Sequence, residues 1–222
     1  MSTVQVIIAD DHPLFRTALK QAVQETLPDS YIKEANDFKE LILEINNSPM
    51  LEVVFLDLHM PGNDGFKGLT QLQNNHPDLI VIMVSSDEKP EIIRKSISFG
   101  AAAFIPKSAN LVTIAKALNE VIKGEIWIPD NIDVNLGSEH LEQYKLIAKQ
   151  LSQLTPQQFT VLSMIADGKL NKQIGYMLDI KENTVKKHVS AILLQLGINN
   201  RTQAGLVYQQ LMLTTPQNEM VD

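Results

Sequence analysis

The sequence predicts an α/β fold, a doubly wound five-stranded parallel sheet, joined to a second, all-α domain built around a helix-turn-helix. Three observations carry that reading. Across residues 1–123, short continuous apolar runs alternate five times with segments of helical period, the pattern of strands buried on both faces and covered by helices. Beyond residue 154 the apolar pattern is helical only. The charge divides in the same place: residues 1–123 hold 11 Lys/Arg against 16 Asp/Glu, whereas residues 155–213 hold 6 against 3.

The elements follow in order. Strand 4–9 leads to a helix opening near Pro13, with Leu14, Ala18, Leu19, Ala22 and Val23 on one face. Strand 31–35 precedes a helix opening at Asn36-Asp37, with Phe38, Leu41, Ile42 and Ile45 inward. Strand 53–56 passes through a loop holding Pro61, Gly62 and Gly65 into helix 66–75. Strand 79–84 is followed by helix 90–99, which Gly100 closes as a left-handed cap. Strand 102–105 precedes a helix starting near Ser108. Right-handed crossovers then place helices on both faces of the sheet.

Residues 124–153 carry two Gly, Pro129 and scattered acids, and read as a linker with a helical segment at about 138–152. The second domain, 154–213, opens with Thr155-Pro156-Gln157-Gln158, a cap, a proline at the first helical position and a glutamine at the third. That helix ends at Gly168. A short helix at 171–178, a tight turn at Asp179-Ile180 and a longer helix at 182–196 follow, the last ended by Gly197. A final helix spans 202–212, and 214–222 reads as a flexible tail.

Composition narrows the function. Of 222 residues 44% are apolar and 20% charged, enough for a core in each domain and too few charges for a disordered chain. No apolar stretch approaches the roughly 20 residues that span a bilayer, and the N-terminal segment lacks the flanks of a signal peptide. Cysteine is absent, which excludes disulfides and thiolate metal sites. No membrane partner and a cytoplasmic location are expected. The net charge of −7 argues against nucleic acid for the chain as a whole; the basic excess of the second domain argues weakly for it.

Chemistry in an open parallel sheet collects at the carboxyl ends of the strands. Those ends carry Asp10-Asp11, Asp57, Ser85 and Lys107. Three carboxylates in one crevice repel unless a cation sits among them, and oxygen-only ligands suit Mg²⁺. A carboxylate so placed can attack a phosphoryl group and become an acyl phosphate. Asp57, alone on the central strand, reads as that nucleophile. Asp11, Asp10, Asp57 and the backbone carbonyl of His59 are the candidate metal ligands. Lys107 and the Ser85 hydroxyl are placed to meet phosphoryl oxygens. The rings of His12 and His59 read as incidental to the loops that carry them.

With Asp10-Asp11, Leu56-Asp57-Leu58-His59-Met60-Pro61-Gly62, Ser85, Phe104 and Lys107 in this order, residues 1–123 resemble the flavodoxin-like receiver domain of two-component response regulators. The resemblance implies that Asp57 accepts a phosphoryl group from a sensor histidine kinase, and that Ser85 and Phe104 relay the change to the surface of the fourth and fifth repeats. Phe104 departs from the family by lacking the hydroxyl of the tyrosine often found there.

In helix 182–196, Val185, Val189, Ile192, Leu193 and Leu196 form an apolar stripe, while Asn183, Thr184, Lys186, Lys187 and Ser190 occupy the other face of its first turns. A short helix, a turn and a longer helix with a basic first turn is the arrangement that enters the major groove N-terminus first. Residues 154–211 resemble the NarL/LuxR-type DNA-binding domain. The segments that match are Leu154-Thr155-Pro156, Ile165-Ala166-Asp167-Gly168, Asn171-Lys172-Gln173-Ile174, Thr184-Val185-Lys186-Lys187-His188, Leu196-Gly197 and Asn200-Arg201-Thr202-Gln203-Ala204. The resemblance implies contact with double-stranded promoter DNA by Asn183, Thr184, Val185, Lys186, Lys187 and His188, with Lys172 and Arg201 as phosphate contacts, and a homodimer when phosphorylated. Three departures are Gln157-Gln158, Gly175 in place of alanine at a helix cost of about 1 kcal/mol, and Lys181 in place of a capping serine at about 1 kcal/mol.

The expected function is a DNA-binding transcriptional response regulator, with no separate catalytic turnover. Two rivals stand beside it. An aspartyl-phosphate phosphatase or phosphotransferase shares the Asp nucleophile and Mg²⁺, but presents two acids on its first strand in a different spacing. A regulator acting through protein contacts alone would keep the first domain and lose the DNA role of the second.

Overall fold

In the computed structural model, which describes residues 4–130, 132 and 138–212, five of the apolar runs become strands of one parallel sheet. The tail expected at 214–222 lies outside the described residues. The receiver-like half runs β1 (Gln5–Ala9), α1 (Pro13–Thr26), β2 (Tyr31–Ala35), α2 (Phe38–Asn46) and β3 (Leu51–Asp57). A two-residue hairpin, β4 (His59–Met60) with β5 (Asn63–Asp64), occupies the loop read from Pro61, Gly62 and Gly65. Then come α3 (Lys67–Asn75), β6 (Ile80–Ser85), α4 (Pro90–Ser98), β7 (Ala103–Pro106) and α5 (Leu111–Ile122). The sheet order is β2-β1-β3-β6-β7, so β3 is central.

Alternate strand residues face opposite sides. Ile8, Phe55, Ile82 and Ile105 pack with Leu19, Ala22, Ile114 and Leu118 of α1 and α5. Ile7, Val54, Leu56, Met83 and Phe104 pack with Leu41, Leu69, Leu72 and Ile92 of α2, α3 and α4. Register aligns the strand ends: Ala9 lies opposite Leu56, Asp57 opposite Val84 and Ser85 opposite Pro106. Asp10, Asp57, Ser85 and Lys107 therefore emerge at one edge.

Two departures from the sequence reading have local causes. Helix α5 opens at Leu111 rather than near Ser108, because the Asn110 side chain accepts the Thr113 N–H at 2.9 Å and caps the helix there. The segment read as linker is not free at its start. Trp127 is buried, its N–H donates to the Ala102 carbonyl at 3.0 Å, and its carbonyl accepts the Phe104 N–H at 3.2 Å beside β7.

The second half holds α6 (Ser138–Ser152), α7 (Pro156–Ala166), α8 (Asn171–Met177), α9 (Glu182–Leu196) and α10 (Arg201–Met212). At the start of α7 the capping box forms in both directions, Thr155 with Gln158. Lys181 caps α9 with no side-chain bond, as its chemistry dictates. Gly175 proves to be a packing requirement as well as a helix weakener. A Cβ there would lie 2.8 Å from the Ile180 carbonyl oxygen, so α8 meets the turn only because that atom is missing. Asp179 takes φ +51° in the same turn, a conformation that aspartate tolerates better than most residues.

Helix α6 packs on α3 and α4 on one side and on α9 on the other. Its buried Leu151 and the following Leu154 belong to the same apolar cluster as Leu69 and Ile92 of the first half and Phe159, Ile174 and Ile192 of the second. Among the described residues, no helix is long and apolar enough to cross a membrane.

Candidate functional site

The acidic cleft is built from strand ends inward. Asp10 directly follows β1 and is fully buried; Asp57 ends β3 and is 2% exposed. Lys107, just past β7, places Nζ 2.7 Å from Asp57 Oδ2 and 2.8 Å from Asp10 Oδ2. Its main chain is fixed by donating N–H to the Ser85 carbonyl at 2.8 Å, so the ends of β6 and β7 set the reach of the ammonium. The His59 N–H donates to Asp57 Oδ1 at 3.1 Å.

Electrostatics follow from burial. Desolvation raises the Asp57 pKa above the ordinary carboxylate value; Lys107 opposes the rise and the Asp10 charge adds to it. For Lys107, burial alone would lower the pKa, but contacts with Asp10 and Asp57 outweigh it and the net shift is upward. A charged lysine thus bridges two buried acids that would otherwise repel.

Of the residues singled out from sequence, Asp10, Asp11, Asp57 and Lys107 meet in this cleft. Ser85 is buried at the end of β6, where its Oγ accepts the Asp87 N–H at 3.0 Å. Phe104 is fully buried in the core between the sheet and α4. Two further residues escape the sequence reading, and a third, His12, reads there as incidental. Asn63 donates Nδ2–H to the Asp57 carbonyl at 2.7 Å and accepts the Gly68 N–H at 2.8 Å, tying the β3 end to α3. Arg16 donates Nη1–H to the Asp10 carbonyl at 2.5 Å while its Nε pairs with Glu34 at 3.2 Å. The His12 ring stands beside the acids, Nδ1 lying 2.7 Å from Asp11 Oδ1. The first two are single polar residues in loop and helix, with no spacing to distinguish them. For His12 the available signal was its adjacency to Asp11.

The donor set fits a divalent ion. One ligand atom each from Asp10, Asp11, His12 and Asp57 lie within 4.8 Å of one another. Asp10 Oδ2 is buried with the Lys107 ammonium 2.8 Å away. A cleft of about 300 Å³ lined by Asp11, His59, Met60, Pro61 and Asn63 opens beside the cluster.

On α9, Asn183, Thr184, Lys186 and Lys187 are exposed and His188 is half-buried. Lys186 also pairs with Glu182 at 3.0 Å, one turn back. Val185 corrects the expectation that placed it with these residues at the DNA face: it is fully buried, because it belongs to the apolar stripe that anchors the helix. Lys172 is exposed on α8. Arg201 is held within the domain, its guanidinium donating to Asn171 Oδ1 at 2.5 Å and to the Lys169 carbonyl, and burial lowers its pKa. Those bonds use two of the five guanidinium N–H donors and tie Arg201 to the α7–α8 connection.

The comparisons match this division. Residues 6–119 match the response regulator receiver domain, and residues 152–207 match the bacterial regulatory proteins of the luxR family. The glycerol metabolism activator of Pseudomonas putida is 36% identical over 206 residues, covering 91% of this chain and 93% of its own. The transcriptional regulatory protein LiaR of Bacillus subtilis is 32% identical over 205 residues, with 91% and 95% covered. A solved structure of the RcsB response regulator of Salmonella typhimurium superposes with a TM-score of 0.53 at 27% identity, over 95% of this chain and 99% of that one. The same score, identity and coverage apply to a structure of two RcsB dimers bound to two parallel DNAs. The chain therefore belongs to the DNA-binding transcriptional response regulators that join a receiver domain to a LuxR-type helix-turn-helix domain.

Proposed function

We propose that Asp57 is the phosphoacceptor of this regulator and that the α9 face reads promoter DNA. The observation that carries the first half is the burial of Asp57 against Lys107 at the end of the central strand, with Asp10 and Asp11 beside it. An Asp57 carboxylate oxygen attacks the phosphorus of a phosphohistidine on a sensor kinase; the P–N bond breaks, the imidazole departs, and an acyl phosphate remains. Asp10, Asp11, Asp57 and the His59 carbonyl would hold Mg²⁺, which offsets negative charge on the acids and the incoming phosphoryl oxygens. Lys107 supplies a fixed positive charge to one of those oxygens, and Ser85 Oγ, turning from the Asp87 N–H, donates to another. The rest of the chain performs no separate catalytic turnover, and the regulator acts in the cytoplasm.

Reading the output follows from the second half, with residues 1–123 as the receiving unit and 154–213 as the output unit. Asn183, Thr184, Lys186, Lys187 and His188 meet base edges and phosphates, with Lys172 on the backbone, while buried Val185 sets the depth of the helix. A pair of such helices in a homodimer would engage a two-fold site. The connection between the halves is α6. Tyr144 donates its hydroxyl to Glu91 on α4 at 2.9 Å, Asn74 on α3 donates to the Leu151 carbonyl at 3.1 Å, and Gln150 donates to the Leu196 carbonyl at 3.4 Å. Rearrangement of Ser85 and Phe104 on phosphorylation would reach α9 by this route.

The test is incubation of the full chain with acetyl phosphate and Mg²⁺, with the modified residue located by reductive trapping of the acyl phosphate. One phosphoryl group on Asp57 is expected. Label on any other residue, or none, removes the assignment.

A further inference from the structure

Strand β7 closes one side of the sheet, and its outer edge is not bare. An edge strand presents unpaired N–H and C=O groups, and here the chain returns to cover some of them. After α5, Gly124 takes φ +85° and reverses the chain. Residues 126–128 then lie against β7 as a strap. Trp127 bridges Ala103 in parallel, donating its N–H to the Ala102 carbonyl at 3.0 Å and accepting the Phe104 N–H at 3.2 Å. Side chains of the strap alternate as they do in a strand. Trp127 is 6% exposed and belongs to the cluster of Ala103, Ile105, Leu118 and Val121. Ile128 packs on the opposite cluster, with Phe104 and Ile92, and Ile126 stands in solvent.

One short strand joins this strap to the acidic cleft. Phe104 and Lys107 are three residues apart, about 10 Å of extended chain. At one end the Lys107 ammonium meets Asp57 and Asp10, and its N–H is tied to the Ser85 carbonyl. At the other end the Phe104 N–H is tied to the strap. A phosphoryl group on Asp57 would draw on Lys107 and on the Ser85 hydroxyl, the two side chains carried by the ends of β7 and β6. Any shift of β7 that follows reaches Trp127 through a main-chain hydrogen bond. Two described main-chain bonds and one buried ring hold Trp127 in place, so the strap can leave while the five-stranded sheet stays paired.

We propose that residues 126–128 form a releasable strap, docked on β7 while Asp57 is unmodified and lifted from it when Asp57 carries a phosphoryl group. Release frees the chain that leads on to α6 and bares the Ala102 carbonyl and the Phe104 N–H. The proposal rests on the reading of Asp57 as phosphoacceptor, and it gives that reading a mechanical outlet from the receiver half.

Trp127 is the single tryptophan of the chain, so its emission reports the strap with no substitution needed. The full chain is treated with acetyl phosphate and Mg²⁺, with Asp57→Asn beside it, and phosphoryl content is read from the intact mass of the same samples. Emission should move to longer wavelength in proportion to phosphoryl content. Hydrogen exchange at the Trp127 and Phe104 amides should accelerate about tenfold, an ordinary size for coupling between two sites. Asp57→Asn should show neither change. In a chain phosphorylated on Asp57, emission that stays fixed or moves to shorter wavelength, or exchange that does not accelerate, overturns the strap and leaves the phosphoacceptor in place. The same emission shift in Asp57→Asn also overturns it. A wild type that gains no phosphoryl group removes both readings together.

Discussion

The two ends of this chain hold their charges in opposite ways. In the receiver cleft, Asp10 and Asp57 are buried and locked to one lysine by contacts below 3 Å. On α9, Lys186 and Lys187 stand in solvent, with an exposed pairing to Glu182 as the one described ion pair. A buried pair is sensitive to the loss of either partner, whereas a solvent-facing one contributes little to stability. The receiver should therefore report mutations as changes in folding and metal dependence, and the output face as changes in binding alone.

The largest effect should come from Lys107→Met. Two buried acids are left facing each other, and loss of about 3 kcal/mol of stability is expected, read as a lowered melting temperature without metal. Addition of Mg²⁺ should restore part of it. Because burial already raises the Asp57 pKa, its ionisation opposes folding above that pKa. That contribution is favourable at low pH and lost as pH rises through the folded value, so the variant should also regain stability as pH falls. A variant as stable as the wild type at neutral pH would break the contrast.

Lys186→Ala and Lys187→Ala should leave melting unchanged and each weaken DNA binding by about 1–3 kcal/mol where a base is contacted. Each phosphate contact removed should reduce the salt slope by about 1. Measurement of affinity across a salt series separates the two roles.

Gly175→Ala sharpens the comparison from the other side. Helix propensity alone favours alanine by about 1 kcal/mol, but the new Cβ meets the Ile180 carbonyl at 2.8 Å. A net destabilisation of about 1–2 kcal/mol is expected, again by melting; stabilisation would show that the turn relaxes freely.

The smallest effect belongs to the joint between the halves. Lys95 is only 5% exposed, pairs with Glu91 at 3.3 Å and lies 5.0 Å above the Tyr144 ring. Burial and Glu91 push the Tyr144 pKa up to about 12. A raised pKa favours the docked form below the ordinary tyrosine value near 10 and loses that contribution as pH rises towards 12. Tyr144→Phe should cost about 1 kcal/mol at neutral pH and flatten the loss of α6 docking between pH 10 and 12, followed by hydrogen exchange of α6.

The cleft was legible because its parts sit at strand ends, and strand ends are visible as the points where apolar runs stop. Thr155 and Gln158 were legible for a similar reason, since a capping box is a local pattern. What stayed hidden depends on contacts distant in sequence. Lys95 reads as a solvated helix lysine until α6 covers it. Gly175 reads as a helix weakness until Ile180 is seen against it. Val185 follows its stripe into the core even though its neighbours face outward. His12 comes beside Asp57 and Lys107 only once the ends of β1, β3 and β7 meet.

The most direct test of the central claim joins both ends in one sample: phosphoryl content and promoter-DNA affinity of the full chain, measured together after acetyl phosphate and Mg²⁺, with Asp57→Asn beside it. The wild type should gain one phosphoryl group and bind DNA more tightly in proportion to it, and the variant should do neither. Tighter binding by the unlabelled variant under the same treatment, or a labelled wild type with unchanged affinity, would contradict the account.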